Sequence, residues 1–352
     1  MNTERADHVP PGTVGVVVIG RNEGERLRRC LTSAVREARH LLYVDSGSSD
    51  GSVALAQSLG VETFALDPGM PFSAARARNE GQAQLRQRQP HLQYLQFVDG
   101  DCELCEGWLS DAAEFLDSHA DVAVALGRLR EKRPEISIFN TMIQFEWDLP
   151  TGEVRSCGGI AMMRARAFDQ VQGFRTDMIA GEEPELCVRL RRKGWRIWRL
   201  AQDMALHDLA MSRFSQWWKR ELRNGHAFAE GVALHGAPPE RHYVRDYRSA
   251  LLWGLGIPLA TLASIAYFGA WGAVMLALYP LQVVRLALRG KRSARENWLY
   301  GMFLVVSRFP TMLGVLHFHI RRALGHRRRL IEYKSHDPRL RRGPSPRPRL
   351  AA

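Results

Sequence analysis

The 352-residue chain is poor in cysteine, with five in all. That is an odd number, at spacings that build no disulfide framework in a chain of this length. Cys102 and Cys105 form a C-x-x-C, yet no second C-x-x-C or H-x-x-H accompanies it, so a structural zinc site is not expected. The thiols are read as reduced. Met1 to Gly12 is polar and lacks the apolar core of a secretory leader, so the expectation is a flexible N-terminus and a large N-terminal domain that stays in the cytoplasm. No internal repeat is visible. Charge is missing altogether from Leu251 to Val284, and acids are scarce after residue 320, where Arg321, Arg322, Arg327, Arg328, Arg329, Lys334, Arg339, Arg341, Arg342, Arg347 and Arg349 concentrate much of the +12 net charge. A basic tail directly after apolar segments fits anionic membrane lipid better than nucleic acid. Residues 331–352, rich in Arg and Pro, read as a disordered basic tail.

What is present is a regular alternation of short apolar runs and helical stretches. Val14 to Ile19 is a β-branched run of the kind buried on both faces of a parallel sheet. A polar turn (Gly20 to Gly24) leads to a helix over Glu25–Ala38. Strands follow at Leu41–Val44, Val61–Ala65 and Tyr94–Val98, with helices at Ser52–Leu59 and Ala74–Gln87 between them. This order predicts an open, mostly parallel α/β sheet, whose ligands sit at the carboxyl ends of the strands. Asp45, Asp99 and Asp101 all fall at such ends. Residues 122–198 read as mixed, with an apolar segment at 136–147 and a helix at Glu183–Lys193; a tryptophan-bearing basic helix follows at Ser212–Glu230.

Leu251–Val284 exceeds one bilayer crossing and suits a helical hairpin turning near Gly269-Ala270-Trp271-Gly272. Arg245 and Arg248 precede it, while Arg285, Arg289, Lys291, Arg292 and Arg295 follow, which places both ends on the cytoplasmic side. Trp298–Phe318 is apolar but carries Arg308 and Pro310, so it is expected to be interfacial or re-entrant.

Several clusters carry chemistry. Asp99-Gly100-Asp101 offers two hard oxygen donors for a divalent cation and a diphosphate, although two acids around a glycine also make an ordinary turn. Asp45 presents an acceptor at a strand end, with Gly47 and Gly51 permitting tight turns. Arg78, like the less favoured Arg76, brings a planar fork suited to phosphate. The paired Gly158-Gly159 permits close backbone approach to a ligand or a tight bend. Glu182 and Glu183 are either a general base or acids stabilised at a helix N-terminus. His207 is a candidate ligand or a structural histidine. A dinucleotide-dependent oxidoreductase is excluded, because Gly20-Arg21-Asn22-Glu23-Gly24 lacks G-x-G-x-x-G.

In their order along the chain these clusters resemble the family 2 glycosyltransferases over roughly residues 14–230. The resemblance rests on Asn22-Glu23-Gly24, on Asp45-Ser46-Gly47-Ser48-Ser49-Asp50-Gly51-Ser52 and on Arg76-Ala77-Arg78-Asn79-Glu80-Gly81. Asp99-Gly100-Asp101, Cys157-Gly158-Gly159 with Gly173-Phe174, and Gly181-Glu182-Glu183-Pro184-Glu185-Leu186 complete it. It implies an A-type, Rossmann-like catalytic domain over 13–235 and membrane-associated helices over 236–330. It implies a nucleotide sugar, most simply a UDP-sugar, held by Asn22, Glu23, Asp45, Arg78, Asn79, Asp99, Gly158 and Gly159, with Asp50 capping the helix after its loop. It further implies Mg²⁺ or Mn²⁺ at Asp99, Asp101 and His207, and Glu183 as the base of inverting transfer, with Glu182 as fallback. Glu183 stands where the family more often has Asp. The expected setting is the inner membrane, with a lipid-linked or glycan acceptor for polysaccharide or glycolipid synthesis. A polyprenyl-phosphate sugar synthase and a non-catalytic membrane scaffold are the alternatives.

Overall fold

The computed structural model describes residues 13–325, so the expectations for residues 1–12 and 331–352 lie outside the described residues. In its first half each apolar run is a strand and each following stretch the helix that covers it: β1 (Val14–Gly20), α1 (Glu25–Glu37), β2 (His40–Asp45), α2 (Ser52–Ser58), β3 (Glu62–Ala65), α3 (Ala74–Arg88) and β4 (Tyr94–Asp99). The four strands pair in parallel in the order β3–β2–β1–β4. Val16, Val17 and Val18 are wholly buried, as a strand covered on both faces requires. Register sets Gly20 opposite Asp45 and Ile19 opposite Asp99, so these strand ends form one crevice.

The second half is built differently. It comprises β5 (Cys102–Leu104), α4 (Trp108–Ser118), β6 (Val122–Glu131), α5 (Ile138–Trp147), β7 (Gly152–Val154), β8 (Ala161–Arg164), α6 (Ala165–Gln170), α7 (Glu182–Arg192), β9 (Arg196–His207) and α8 (Phe214–His235). β8 lies antiparallel between β4 and β6, and β9 pairs in parallel with β6 but antiparallel with β5 and β7. The sheet is therefore mixed, and the mostly parallel expectation describes its N-terminal half. The reversal has a use. An antiparallel β8 brings its start to the crevice, with Ala161 opposite Phe97 and Gly158-Gly159 just before it.

After α8 the chain leaves the sheet through a short connection and continues as helix: α9 (Val244–Leu251), a wider-wound stretch at 252–256, and α10 (Ile257–Phe268). The chain reverses at Gly269 (φ +62) into a tight 269–277 stretch, then continues as α11 (Leu278–Arg289), α12 (Ala294–Val306) and α13 (Arg308–Ala323). At Gly272 a Cβ would lie 2.2 Å from the Ser264 carbonyl carbon, so the returning stretch lies hard against α10. Tyr279 Oη donates to Trp253 O at 2.7 Å across the base of this hairpin. Its tip is bare: Trp271 is 85% exposed.

Two segments, Val244–Arg289 and Ala294–Ala323, are long and apolar enough to cross a membrane. The second packs on the α/β body, because α13 meets α8 backbone to backbone. A Cβ at Gly225 would sit 1.9 Å from Thr311 O, and one at Gly314 would sit 2.0 Å from Leu222 O.

Candidate active site

The centre of the crevice is one buried guanidinium. α3 begins at the Ser73 cap, whose side chain accepts from Arg76 N, and its first turns carry Arg76 and Arg78 inward. Arg78 is 2% exposed. Its Nη2 donates to Asp99 Oδ1 at 2.9 Å, and its Nη1 donates to Glu183 Oε1 at 2.8 Å and Glu182 Oε1 at 3.3 Å. Three carboxylates thus share one cation, leaving an excess of negative charge. Burial, then the neighbouring Glu182 charge, pushes Glu183 up to about 7, against the downward pull of Arg78. Both glutamates occupy the first turn of α7, after Gly181 (φ +83), where the helix dipole favours acids. Gly159 closes the cluster: a Cβ there would lie 2.4 Å from Arg78 Nη2, 3.0 Å from Asp99 Oδ2 and 3.1 Å from Glu183 Oε1. Gly158 borders open space.

A second group lies beyond Asp99. Asp101 Oδ2 stands 3.2 Å from His207 Nε2, and the Cys102 thiol points at Asp101 Oδ1, 3.7 Å away. The donor atoms of Asp101, Cys102 and His207 lie within 4.8 Å of one another, all three residues buried. His207 Nδ1 is buried without a hydrogen-bond partner, and the donor set of carboxylate, imidazole and thiol suits a divalent transition metal. Cys102 arrives because β5 pairs with β9 in a register that sets it opposite His207. The sequence reading left Cys102 as a bystander thiol.

The remaining sequence candidates brace the walls. Asp45 accepts from Tyr43 Oη (2.8 Å), Gly47 N (3.0 Å) and Ser48 N (2.8 Å), so its buried carboxylate organises its own loop. Asn22 (φ 55) ties that loop to β1, donating through its N–H to Ser48 Oγ and accepting from Ser49 N. Asp50 accepts from Gly24 N and Ser52 N, whereas the N-cap residue of α2 is Gly51, with no side-chain cap. Glu23 pairs with Arg26 at 2.6 Å. Asn79 was expected on the nucleotide, but both its amide atoms are engaged by the Phe174 backbone, at 2.7 and 2.9 Å. Arg76 clamps the 67–71 turn through the carbonyls of Asp67 and Met70 and pairs with Glu80.

Tyr243 had no signal in the sequence. It takes a left-handed backbone (φ 57) at the head of α9 and packs at a tilt against Phe228, ring centroids 4.8 Å apart. Burial, then the charge of Glu183, pushes its phenol upward.

Residues 15–171 match the family model Glycosyl transferase family 2. Among solved structures, a mannosyltransferase from Pyrobaculum calidifontis in complex with GDP-Man and Mn²⁺ superposes with a TM-score of 0.53 at 14% identity, over 89% of this chain and 87% of that one. Glucosyl-3-phosphoglycerate synthase from Mycobacterium tuberculosis in complex with phosphoglyceric acid superposes at 0.47 and 14% identity, over 65% of this chain and 81% of that one.

Proposed function

We propose, from the premise that residues 15–171 are a family 2 glycosyltransferase domain, that this enzyme is a metal-dependent, inverting transferase that moves a sugar from a nucleotide sugar to an acceptor hydroxyl. The observation that carries the reading is the Arg78 bridge, which joins Asp99 to Glu183 beside Gly159. Glu183 takes the proton of the acceptor hydroxyl. That oxygen bonds to the anomeric carbon as the bond to the diphosphate breaks, and the electron pair leaves on the nucleoside diphosphate. The Arg78 fork, held by Asp99, Glu182 and Glu183, would meet the diphosphate as its charge develops; diphosphate oxygens would then compete with Glu183 and free the base. Glu182 is the fallback base.

Asp101 and His207, whose donor atoms converge with that of Cys102, would hold Mg²⁺ or Mn²⁺ together with Asp99, which shares Arg78 in this structure, a reading supported by the Mn²⁺ and GDP-Man bound to the mannosyltransferase above. Such an ion supplies neutralisation of the charge on the departing diphosphate. Asn22, Glu23, Asp45, Arg78, Asn79, Asp99, Gly158 and Gly159 line or brace the donor pocket, with a UDP-sugar as the favoured donor. Residues 13–235 form the catalytic domain and the described part of 236–330 the membrane-associated helices, with cationic side chains at the hairpin base on anionic lipid. The catalytic domain then lies on the cytoplasmic face of the inner membrane, where a lipid-linked acceptor is available.

The test is release of nucleoside diphosphate from a panel of sugar nucleotides by the full chain in detergent, with Mg²⁺, Mn²⁺ or chelator. One donor is expected to turn over only with metal, and Glu183→Gln and Asp101→Asn should each slow it about 100-fold or more. Wild-type turnover by Glu183→Gln, or turnover in chelator, would overturn the proposal.

A further inference from the structure

Between the α/β body and the candidate membrane helices lies a cavity of 190 Å³, walled by α5, α8, α9, α12 and α13. Trp217, Phe228 and Tyr300 give it aromatic surface, while Glu221, Asp246 and Arg308 give it charge. Arg308 is the residue that interrupts the second apolar segment. It borders this cavity, as an ionisable group in such a helix does where it serves a ligand. Asp246 and Glu221 are the carboxylates whose charge it feels. Among the described residues, neither Arg308 nor Asp246 makes a hydrogen bond or an ion pair. A donor and an acceptor therefore border the same space without satisfying each other.

The lining selects the occupant. Carboxylates outnumber guanidinium groups here, since Glu146 also lines the cavity and Arg220 is already bound to Glu146 (2.8 Å) and Glu221 (2.9 Å). A phosphate would face net negative charge. An alkyl chain would strand the polar groups without partners. A pyranose satisfies both: its hydroxyls donate to carboxylates and accept from a guanidinium, and its C–H faces lie on aromatic rings. The volume lies below the roughly 300–1,000 Å³ of pockets for larger ligands, so it suits a single ring.

The location is equally specific. Phe228 on the cavity wall packs at a tilt against Tyr243, ring centroids 4.8 Å apart, and Glu183 is one of the charges that Tyr243 feels. Trp147, next to Glu146, stands 5.0 Å from the His207 ring. We infer that this cavity is a saccharide subsite for the acceptor, in which Arg308 and Asp246 read the hydroxyls of one pyranose unit at the seam between catalytic body and membrane helices. The inference rests on the transferase reading above.

The experiment uses the full chain in a sugar-free detergent, with a panel of methyl pyranosides followed by saturation-transfer NMR. At least one should bind the wild type, and its affinity should fall about tenfold in Arg308→Ala and in Asp246→Asn, the loss expected for one hydrogen bond to a charged group. Nucleotide binding and the thermal midpoint should be unchanged in both. Arg308→Lys, which keeps the charge and loses the fork, should fall between. A wild type that binds none of the panel, near-wild-type glycoside binding by the variants, or displacement of the glycoside by inorganic phosphate would each overturn the assignment. Failure of the transferase reading is distinct: the wild type would bind glycoside but neither bind nor turn over any sugar nucleotide.

Discussion

Arg78 holds Asp99, Glu182 and Glu183 together at distances of 2.8 to 3.3 Å, so each residue there answers for the others. Glu183 shows the cost in stability. Its folded pKa of about 7 lies above the value of 4.5 expected for an unfolded chain. The folded state thus holds that proton more tightly, a contribution fully present below pH about 4.5 and lost as pH rises through about 7. Glu183→Gln cannot ionise. In chelator the variant should melt with the wild type near pH 4.5 and above it at pH 8, by about 1–3 kcal/mol or several degrees, while losing transfer. Thermal melts at the two pH values check this. Glu182→Gln removes the second cause of the upward shift, so the acidic limb of its kcat profile should move to lower pH. A pH–rate profile with saturating donor reads that directly.

Among the elements, the strands of the first half were legible because a buried parallel strand is a continuous apolar run and its helix follows with a different period. The later strands were less so. β8 has four residues, β5 has three, and β6 and β9 pair with three register irregularities. Partners so far apart in sequence leave no local pattern. The same limit hid Cys102 and Tyr243 from the sequence reading. Cys102 meets His207 through strand register, and Tyr243 reaches Phe228 from the head of the following helix. Strand-end aspartates and the first-turn glutamates of α7 were legible because position and chemistry coincide locally. Asn79 was not, since an amide that suits a ligand equally suits a backbone. The α8–α13 contact yields its own expectation. Gly225→Leu cannot fit against Thr311 O, so it should separate the two helices and cost about 1–3 kcal/mol or more. Thermal melting and limited proteolysis between 236 and 325 would show it, and a wild-type pattern in both would contradict the contact.

For the whole molecule, composition separated a mixed-charge body from an uncharged stretch flanked by arginines, and the structure follows that division. The hairpin tip stands bare, whereas the second apolar segment is half absorbed by the body through α13. Hydropathy alone could not tell these apart, because both faces of a helix count equally in a window average. Arg245, Arg248, Arg285 and Arg289 are exposed around the base of the hairpin. The full chain should therefore float with vesicles containing anionic lipid more completely than with neutral ones, and the difference should shrink as salt rises from 0.05 to about 0.5 M. Equal flotation at all salt concentrations would leave the apolar hairpin as the sole attachment.

Two contacts of α8 fix how α7 and α13 sit about it. Ala227 faces Gly181, at the head of the helix that carries Glu182 and Glu183, while Gly225 faces Thr311 of α13. Only two residues separate these positions, about 3 Å along the axis. The carboxylates and the membrane-side helix therefore flank α8 at nearly the same level, one helix width of about 10 Å apart. On the proposed function, an acceptor anchored beside α13 would need only a short polar tether to bring its hydroxyl to Glu183. If the proposed transfer holds, a long glycan would overshoot that span, and short acceptors should be used in preference to long ones.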